Sequence, residues 1–277
     1  METREATSSD WEKLLIFYQR IYRDKHPLQN KEFWEWQYGD KKQGRAFICL
    51  NDNGDVVGHV GANFGGGLAW IINVYLDPEC RGKGVLRLLY ELARNYYPLA
   101  ATAANEAGLG LYRNMRWIRY HDLTRYVKIN PNLRKTDFEN VCQPVTLNVN
   151  DLIVKKTHYQ KQPGQHVIQL SGESTGITQE SVGGLRVVDL KDVETLETHA
   201  WELGYLWMDY ITSWNDLKNK ELEKRGWVLD FKSVVPWRLN PIEKDYFCDI
   251  TFLSEAPLDK EFIVHRSYSD HGRVGSI

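Results

Sequence analysis

The stretch LDPECRGKGVLRLLYELA, residues 76–93, restricts the possible folds more than any other part of the chain. An apolar run (68–76) leads into it. Beyond it, Val85, Leu88, Leu89, Leu92, Ala93 and Tyr96 recur at helical spacing and make one apolar face. Glycine is a poor helix former, so Gly82 and Gly84 mark a turn between strand and helix. A turn of this kind points several backbone N–H groups outward at the helix N-terminus. There the unpaired donors and the helix dipole together favour an anion. Arg81 and Lys83 add positive charge. The pattern predicts a strand–turn–helix unit that holds a phosphate-bearing ligand.

Three phosphate readings compete. A nucleotide P-loop needs GxxxxGK followed by Ser or Thr to seat magnesium, and here Val85 follows the second glycine. A dinucleotide fingerprint needs a third glycine, where Leu88 and Leu89 stand instead. The third reading fits better. Leu76-Asp77-Pro78-Glu79-Cys80-Arg81-Gly82-Lys83-Gly84-Val85 resembles the V-x-P-x-x-R-G-x-G-[IV] signature of the GCN5-related N-acetyltransferase (GNAT) superfamily. That superfamily's second signature, Asn-x-x-Ala-x-x-x-Tyr-x-x-x-Gly-Phe, is matched by NEAGLGLYRNMRW, with Asn105, Tyr112 and Trp117 in its places. The two motifs cover about residues 68–120.

The resemblance implies a cofactor site residue by residue. Leu76 would offer backbone hydrogen bonds to the pantetheine arm of acetyl-CoA or another acyl-CoA. Arg81, Gly82, Lys83, Gly84 and Val85 would bind the pyrophosphate, and Asn105 the pantetheine amide region. Tyr112 matches the general acid that protonates the departing CoA thiolate. The chemistry is coherent, because an amine attacking a thioester needs an oxyanion donor and a proton for sulfur. Three departures stand out. Leu86 and Arg116 replace residues that are usually small, and the superfamily's first strand looks short or missing, since the first helix signal begins at Ser9.

The base is less legible. The run 68–76 holds no acid, so the amine's proton must leave through water or a group from elsewhere. Asp209 in LWMDY and His26 in DKHPL are the candidates. The segment HPLQNKEFWEWQYGD carries Phe33, Trp34, Trp36 and Tyr38, which could stack on an acceptor, although some must face the core. Near the end of the chain, Arg266, His271 and Arg273 are possible phosphate contacts or a solvated tail.

The remainder reads as two α/β halves. Their signals are a capped helix from Ser9-Asp10-Trp11-Glu12, a short helix from Asn30, and a hairpin around NDNGD. A strand pair is expected around 117–129, a linker opening at INPNLRKTD, and strand-like alternation over 145–169. The second half begins at Leu185 and carries two helices ended by Gly204 and Gly226. Asn215, Leu222 and Trp227 echo the spacing of Asn105, Tyr112 and Trp117, yet no R-G-x-G loop follows any later strand. The fold class expected is therefore α/β (α+β). It comprises tandem GNAT folds, each a mixed twisted sheet with helices on both faces, the second copy degenerate and with one cofactor site per chain. The domains expected are 1–135, binding acyl-CoA, and 136–277, contributing to the acceptor site.

Composition narrows the function. Thirty-five Lys and Arg against thirty-seven Asp and Glu, without a basic block, argue against a nucleic-acid partner. No apolar run is long enough to span a membrane. Cys49, Cys80, Cys142 and Cys248 lie far apart, which fits reduced cytosolic thiols and no metal site. The two-domain layout, tryptophan-rich entry segment and tail resemble bacterial N-acyltransferases that act on nucleotide-linked amino sugars, dTDP- or UDP-linked, for lipopolysaccharide or capsule synthesis. The resemblance thus implies transfer of acetyl or a short hydroxyacyl group by direct attack. Aminoacyl transfer to a cell-wall precursor, acetylation of another small amine, and a non-catalytic acyl-CoA-binding module remain alternatives.

Overall fold

The structure, a computed structural model, describes residues 1–24, 26–103, 106–132, 167–169, 177–181, 184–187, 190–229, 250–264 and 268. It divides into two compact units that are not contiguous in sequence, where the sequence reading expected the halves 1–135 and 136–277. The first unit is Met1–Tyr120 with Phe252–Leu258 and Tyr268; the second holds the described parts of His121–Thr251 and of 259–267.

In the first unit, β1 (Glu2–Glu5), β2 (Gly44–Leu50), β3 (Val56–Gly65) and β4 (Leu68–Leu76) pair antiparallel in sequence order. The β2–β3 turn forms because the Asn51 side-chain oxygen accepts from the N–H groups of Asn53 and Asp55, and Gly54 takes φ +79°. The short first strand is therefore present. It is followed by Thr7, whose N–H donates to the Asp10 carboxylate at 2.8 Å. That bond caps the turn leading into α1 (Trp11–Ile21), so the cap lies at Thr7 and Asp10 rather than Ser9. The Arg4 guanidinium, 2.6 Å away, holds the Asp10 carboxyl down at about 2.

A second helix, α2 (Lys31–Tyr38), is capped by Asn30, whose side chain accepts from the Phe33 N–H. Helix α3 (Val85–Arg94) then crosses from β4 to β5 (Leu99–Ala103), which lies parallel to β4. Helix α4 (Glu106–Asn114) and the start of β6 (Ile118–Ile129) follow. Ile118–Ile129 forms one long strand and not the expected pair. The core on the α3 side gathers Phe47, Cys49, Val60, Leu89, Tyr90, Ala93, Leu99, Tyr112 and Trp117. Leu253 joins it from β12 (Ile250–Ser254). Next to that strand, Glu255 donates its N–H to the Leu99 carbonyl, and its carboxylate accepts from the Leu99 N–H and from Arg94.

In the second unit, β7 (Val167–Gln169), β8 (Ile177–Ser181) and β9 (Gly184–Val187) pair antiparallel in order. A crossover helix, α5 (Val193–Glu202), joins β9 to the parallel strand β10 (Trp207–Thr212). Then come α6 (Lys218–Lys224) and β11 (Val228–Leu229), and both β10 and β11 pair with β6. Leu185, Val193, Leu196, Tyr205, Met208, Leu222 and Trp227 form this unit's core. Strand, crossover helix, parallel strand, helix, turn and strand recur here in the order of β4 through β6. Among the described residues no helix is long and apolar enough to cross a membrane, and no cluster of ligating side chains could hold a metal ion.

Candidate active site

The strand–turn–helix junction has the geometry the two glycines imply. Gly82 takes φ +73° and Gly84 φ +77°, a left-handed region costly for any side chain. A Cβ at either position would meet no atom within 4 Å, so backbone conformation alone demands glycine there. Gly84 is the N-cap of α3 and has no side chain to occupy the first-turn N–H groups. Those donors are left for a ligand, and all of residues 81–84 are exposed. Arg81 folds back to donate to the Leu76 carbonyl at 3.1 Å, with its guanidinium 5.9 Å from the centre of the Tyr75 ring. Leu86 is half-buried and packs against the α3-side core.

Upstream of the loop the sheet opens. Strands β4 and β5 pair only at Ala69 with Leu99 and Trp70 with Ala100, so residues 71–76 run without β5 along that edge. On the other edge the β3 register slips from His59–Tyr75 to Gly61–Ile72, which places one extra residue on β4. Asn73 lies in this bulge with φ +50°, unusual for a residue other than glycine. A network fixes it. The His59 Nδ1 meets the Asn73 carbonyl at 2.9 Å, and since a carbonyl only accepts, Nδ1 carries the proton. The Asn73 amide donates to the Tyr38 hydroxyl at 2.8 Å, and Gln37 beside it donates to Asn63. The acid-free strand thus contains a bulge held by a fully buried histidine. Sequence reading missed His59, Asn73 and Tyr90. A nearly continuous apolar run gives no sign of a bulge, and a tyrosine on an apolar helix face looks like any core residue.

Beyond β5, helix α4 carries the expected general acid. There Tyr112 is 6% exposed and its ring stacks on Trp117 at 4.5 Å and 27°. The Trp117 N–H returns to the Tyr112 carbonyl at 3.1 Å, made possible by Arg116 in the left-handed region at φ +59°. Asn105 lies outside the described residues, as do Arg266, His271 and Arg273.

Other expected residues have structural work. Asp209 is fully buried on β10, and Arg125 donates to one of its oxygens through Nε at 2.9 Å and Nη2 at 2.8 Å. His26 stacks on Tyr22 at 3.9 Å, and its Nδ1 accepts from the Leu28 N–H at the start of a short turn. Trp34, Trp36 and Tyr38 are 2%, 8% and 3% exposed. Trp34 donates to the Tyr18 hydroxyl, Trp36 packs on Phe33, and Tyr38 faces Trp34 and His59. All three rings are buried against other aromatic side chains, where the sequence led us to expect faces open to an acceptor.

In the second unit the corresponding helix start is closed. Asp192 caps α5 by accepting from the Thr195 N–H at 3.0 Å, and that bond holds its carboxyl below the usual range. A carboxylate thus stands where Gly84 leaves α3 open. Leu222, fully buried, stands where Tyr112 does.

Residues 10–115 match the Acetyltransferase (GNAT) family model. No curated protein sequence matches the chain. Among solved structures, a candidate acetyltransferase from Pyrococcus horikoshii is 16% identical and superposes with a TM-score of 0.55, over 94% of this chain and 90% of that one. A tandem GNAT protein from the clavulanic acid biosynthesis pathway is 11% identical, covering 93% of this chain and 99% of that one at a TM-score of 0.49. Ribosomal-protein-alanine N-acetyltransferase from Brucella melitensis is 23% identical over 45% of this chain and 88% of its own, at a TM-score of 0.35.

Proposed function

We propose that residues 10–115, which match the acetyltransferase (GNAT) family model, form an acyl-CoA-dependent N-acyltransferase domain with a single acyl-CoA site in the first unit. The pyrophosphate would lie on the N–H groups of residues 82–85, with Arg81 and Lys83 beside it. The pantetheine arm would run along the open edge of β4 toward Tyr112. The observation that carries this reading is the coincidence of open-capped α3 with the β4–β5 opening that begins beyond Trp70 and Ala100.

In the reaction the amine nitrogen forms a bond to the thioester carbonyl carbon, and negative charge collects on the carbonyl oxygen. As the C–S bond breaks, its electron pair leaves on sulfur and the Tyr112 hydroxyl supplies a proton. The amine's own proton passes to water in this reading, since Arg125 holds the Asp209 carboxylate and the His26 Nδ1 already accepts from the Leu28 N–H. General acid catalysis of this kind contributes about 10²-fold or more. Tyr112→Phe should therefore lower kcat by about that factor and leave acyl-CoA binding nearly unchanged. Full activity in that variant would sink the assignment.

For the acceptor, the reading is the amine of a nucleotide-linked amino sugar, and for the donor an acetyl or short hydroxyacyl thioester. The two-unit layout supports this, together with the sequence resemblance to sugar N-acyltransferases; the buried rings of α2 do not. Mass spectrometry of products from a panel of acyl-CoAs and dTDP- or UDP-amino sugars tests it. Acylation of simple polyamines or peptides in preference to every sugar in the panel would overturn the acceptor and leave the CoA chemistry standing.

A further inference from the structure

Helix α3 presents a second tyrosine to the first unit's core. Tyr90 is fully buried, and its hydroxyl meets no partner at proper hydrogen-bond geometry. A buried hydroxyl without a bond costs about 1–3 kcal/mol, and a phenylalanine would fill the same space without that cost. An orphan group of this kind calls for a reason.

Its surroundings supply one. The Trp117 ring lies 6.2 Å from the Tyr90 ring and stacks on Tyr112 at 4.5 Å, and all three belong to one core cluster. The Tyr112 phenol lies within reach of the Tyr90 hydroxyl without meeting full hydrogen-bond geometry. Burial first, and the Tyr112 phenol next, push the Tyr90 hydroxyl's pKa well above its ordinary value. Tyr90 therefore keeps its proton at neutral pH and can only donate toward developing negative charge. Hydrogen bonds of catalytic groups are often long in the free enzyme and tighten when the reaction proceeds.

We propose that Tyr90 is a positioning residue for the general acid, its hydroxyl donating to the Tyr112 oxygen as that oxygen gives up its proton. The balance is complete. The C–S electron pair goes to sulfur, the Tyr112 proton goes to that sulfur, and the phenolate oxygen left behind accepts a hydrogen bond from Tyr90. Tyr90 keeps its own proton throughout, and solvent reprotonates Tyr112 before the next turnover. This inference rests on the reading of Tyr112 as the acid.

The test compares the wild-type chain, Tyr90→Phe, Tyr112→Phe and the double variant in steady-state acyl transfer, with acyl-CoA as the varied substrate. Tyr90→Phe should lower kcat about tenfold, the worth of one hydrogen bond to a charged oxygen. Its KM for acyl-CoA and its melting temperature should not fall. In the Tyr112→Phe background the second change should cost nothing further, because the oxygen it serves is gone. Wild-type kcat in Tyr90→Phe, where Tyr112→Phe is impaired, overturns the positioning role and leaves the acid in place. An equal loss in both backgrounds also overturns it, since that marks packing. Full activity in Tyr112→Phe removes the acid itself and Tyr90's role with it.

Discussion

Single residues differ in how openly they declare themselves. Gly82 and Gly84 are legible because only glycine sits easily at φ near +75°, and the structure puts both there. The tryptophans of α2 mislead for an equally physical reason. A large ring with a polar edge serves a core and a binding face alike, and nothing in KEFWEWQY says which. His59 is silent in sequence because its importance comes from a bulge on the neighbouring strand. That bulge leads to a prediction. With His59 replaced by leucine, the Asn73 carbonyl loses its donor inside the protein, at a cost of roughly 1–3 kcal/mol. His59→Asn, which keeps an N–H near the Nδ1 position, should recover part of the loss. Thermal melts of the two variants measure it, and equal melting of the leucine variant and wild type would show that His59 does not hold the bulge.

At the scale of elements, most helices and strands were readable from period and punctuation, and the resemblance between the halves becomes a shared geometry. The Trp117 N–H bonds to the Tyr112 carbonyl at 3.1 Å, and the Trp227 N–H bonds to the Leu222 carbonyl at 3.0 Å. Between each pair a residue turns left-handed, Arg116 at φ +59° and Gly226 at φ +78°. Both helices end in the same six-to-one closure. Arg116 pays conformational strain that Gly226 does not, so Arg116→Gly should raise stability by about 1 kcal/mol. Calorimetry decides it, and a lower melting temperature would mean that the Arg116 side chain makes a contact worth more than the strain. The strand β6 runs unbroken where a strand pair is expected, because no turn residue interrupts it at His121-Asp122; there Asp122 accepts from the Thr251 hydroxyl at 2.7 Å.

For the whole molecule, sequence favoured contiguous halves because linker composition is local and strand pairing is not. The structure returns Phe252–Leu258 to the first unit, more than a hundred residues after Tyr120. Glu255 there bonds the N–H of Leu99 and pairs with Arg94 at 2.8 Å. A chain ending at residue 135 loses those contacts and leaves the β5 backbone unpaired along that edge. Such a truncation should give no cooperative melt and no CoA binding; a folded, CoA-binding fragment would contradict the assignment of those residues to the first unit. The chain is proposed to hold one working acyl-CoA site, with the open glycine cap on α3 and the Asp192 cap closing α5. Isothermal titration of the full chain with CoA tests it most directly. One CoA per chain, lost in Gly82→Asp with Gly84→Asp and unchanged in Asp192→Gly, is the result predicted. Two equivalents per chain, or binding that survives the glycine changes, would contradict it.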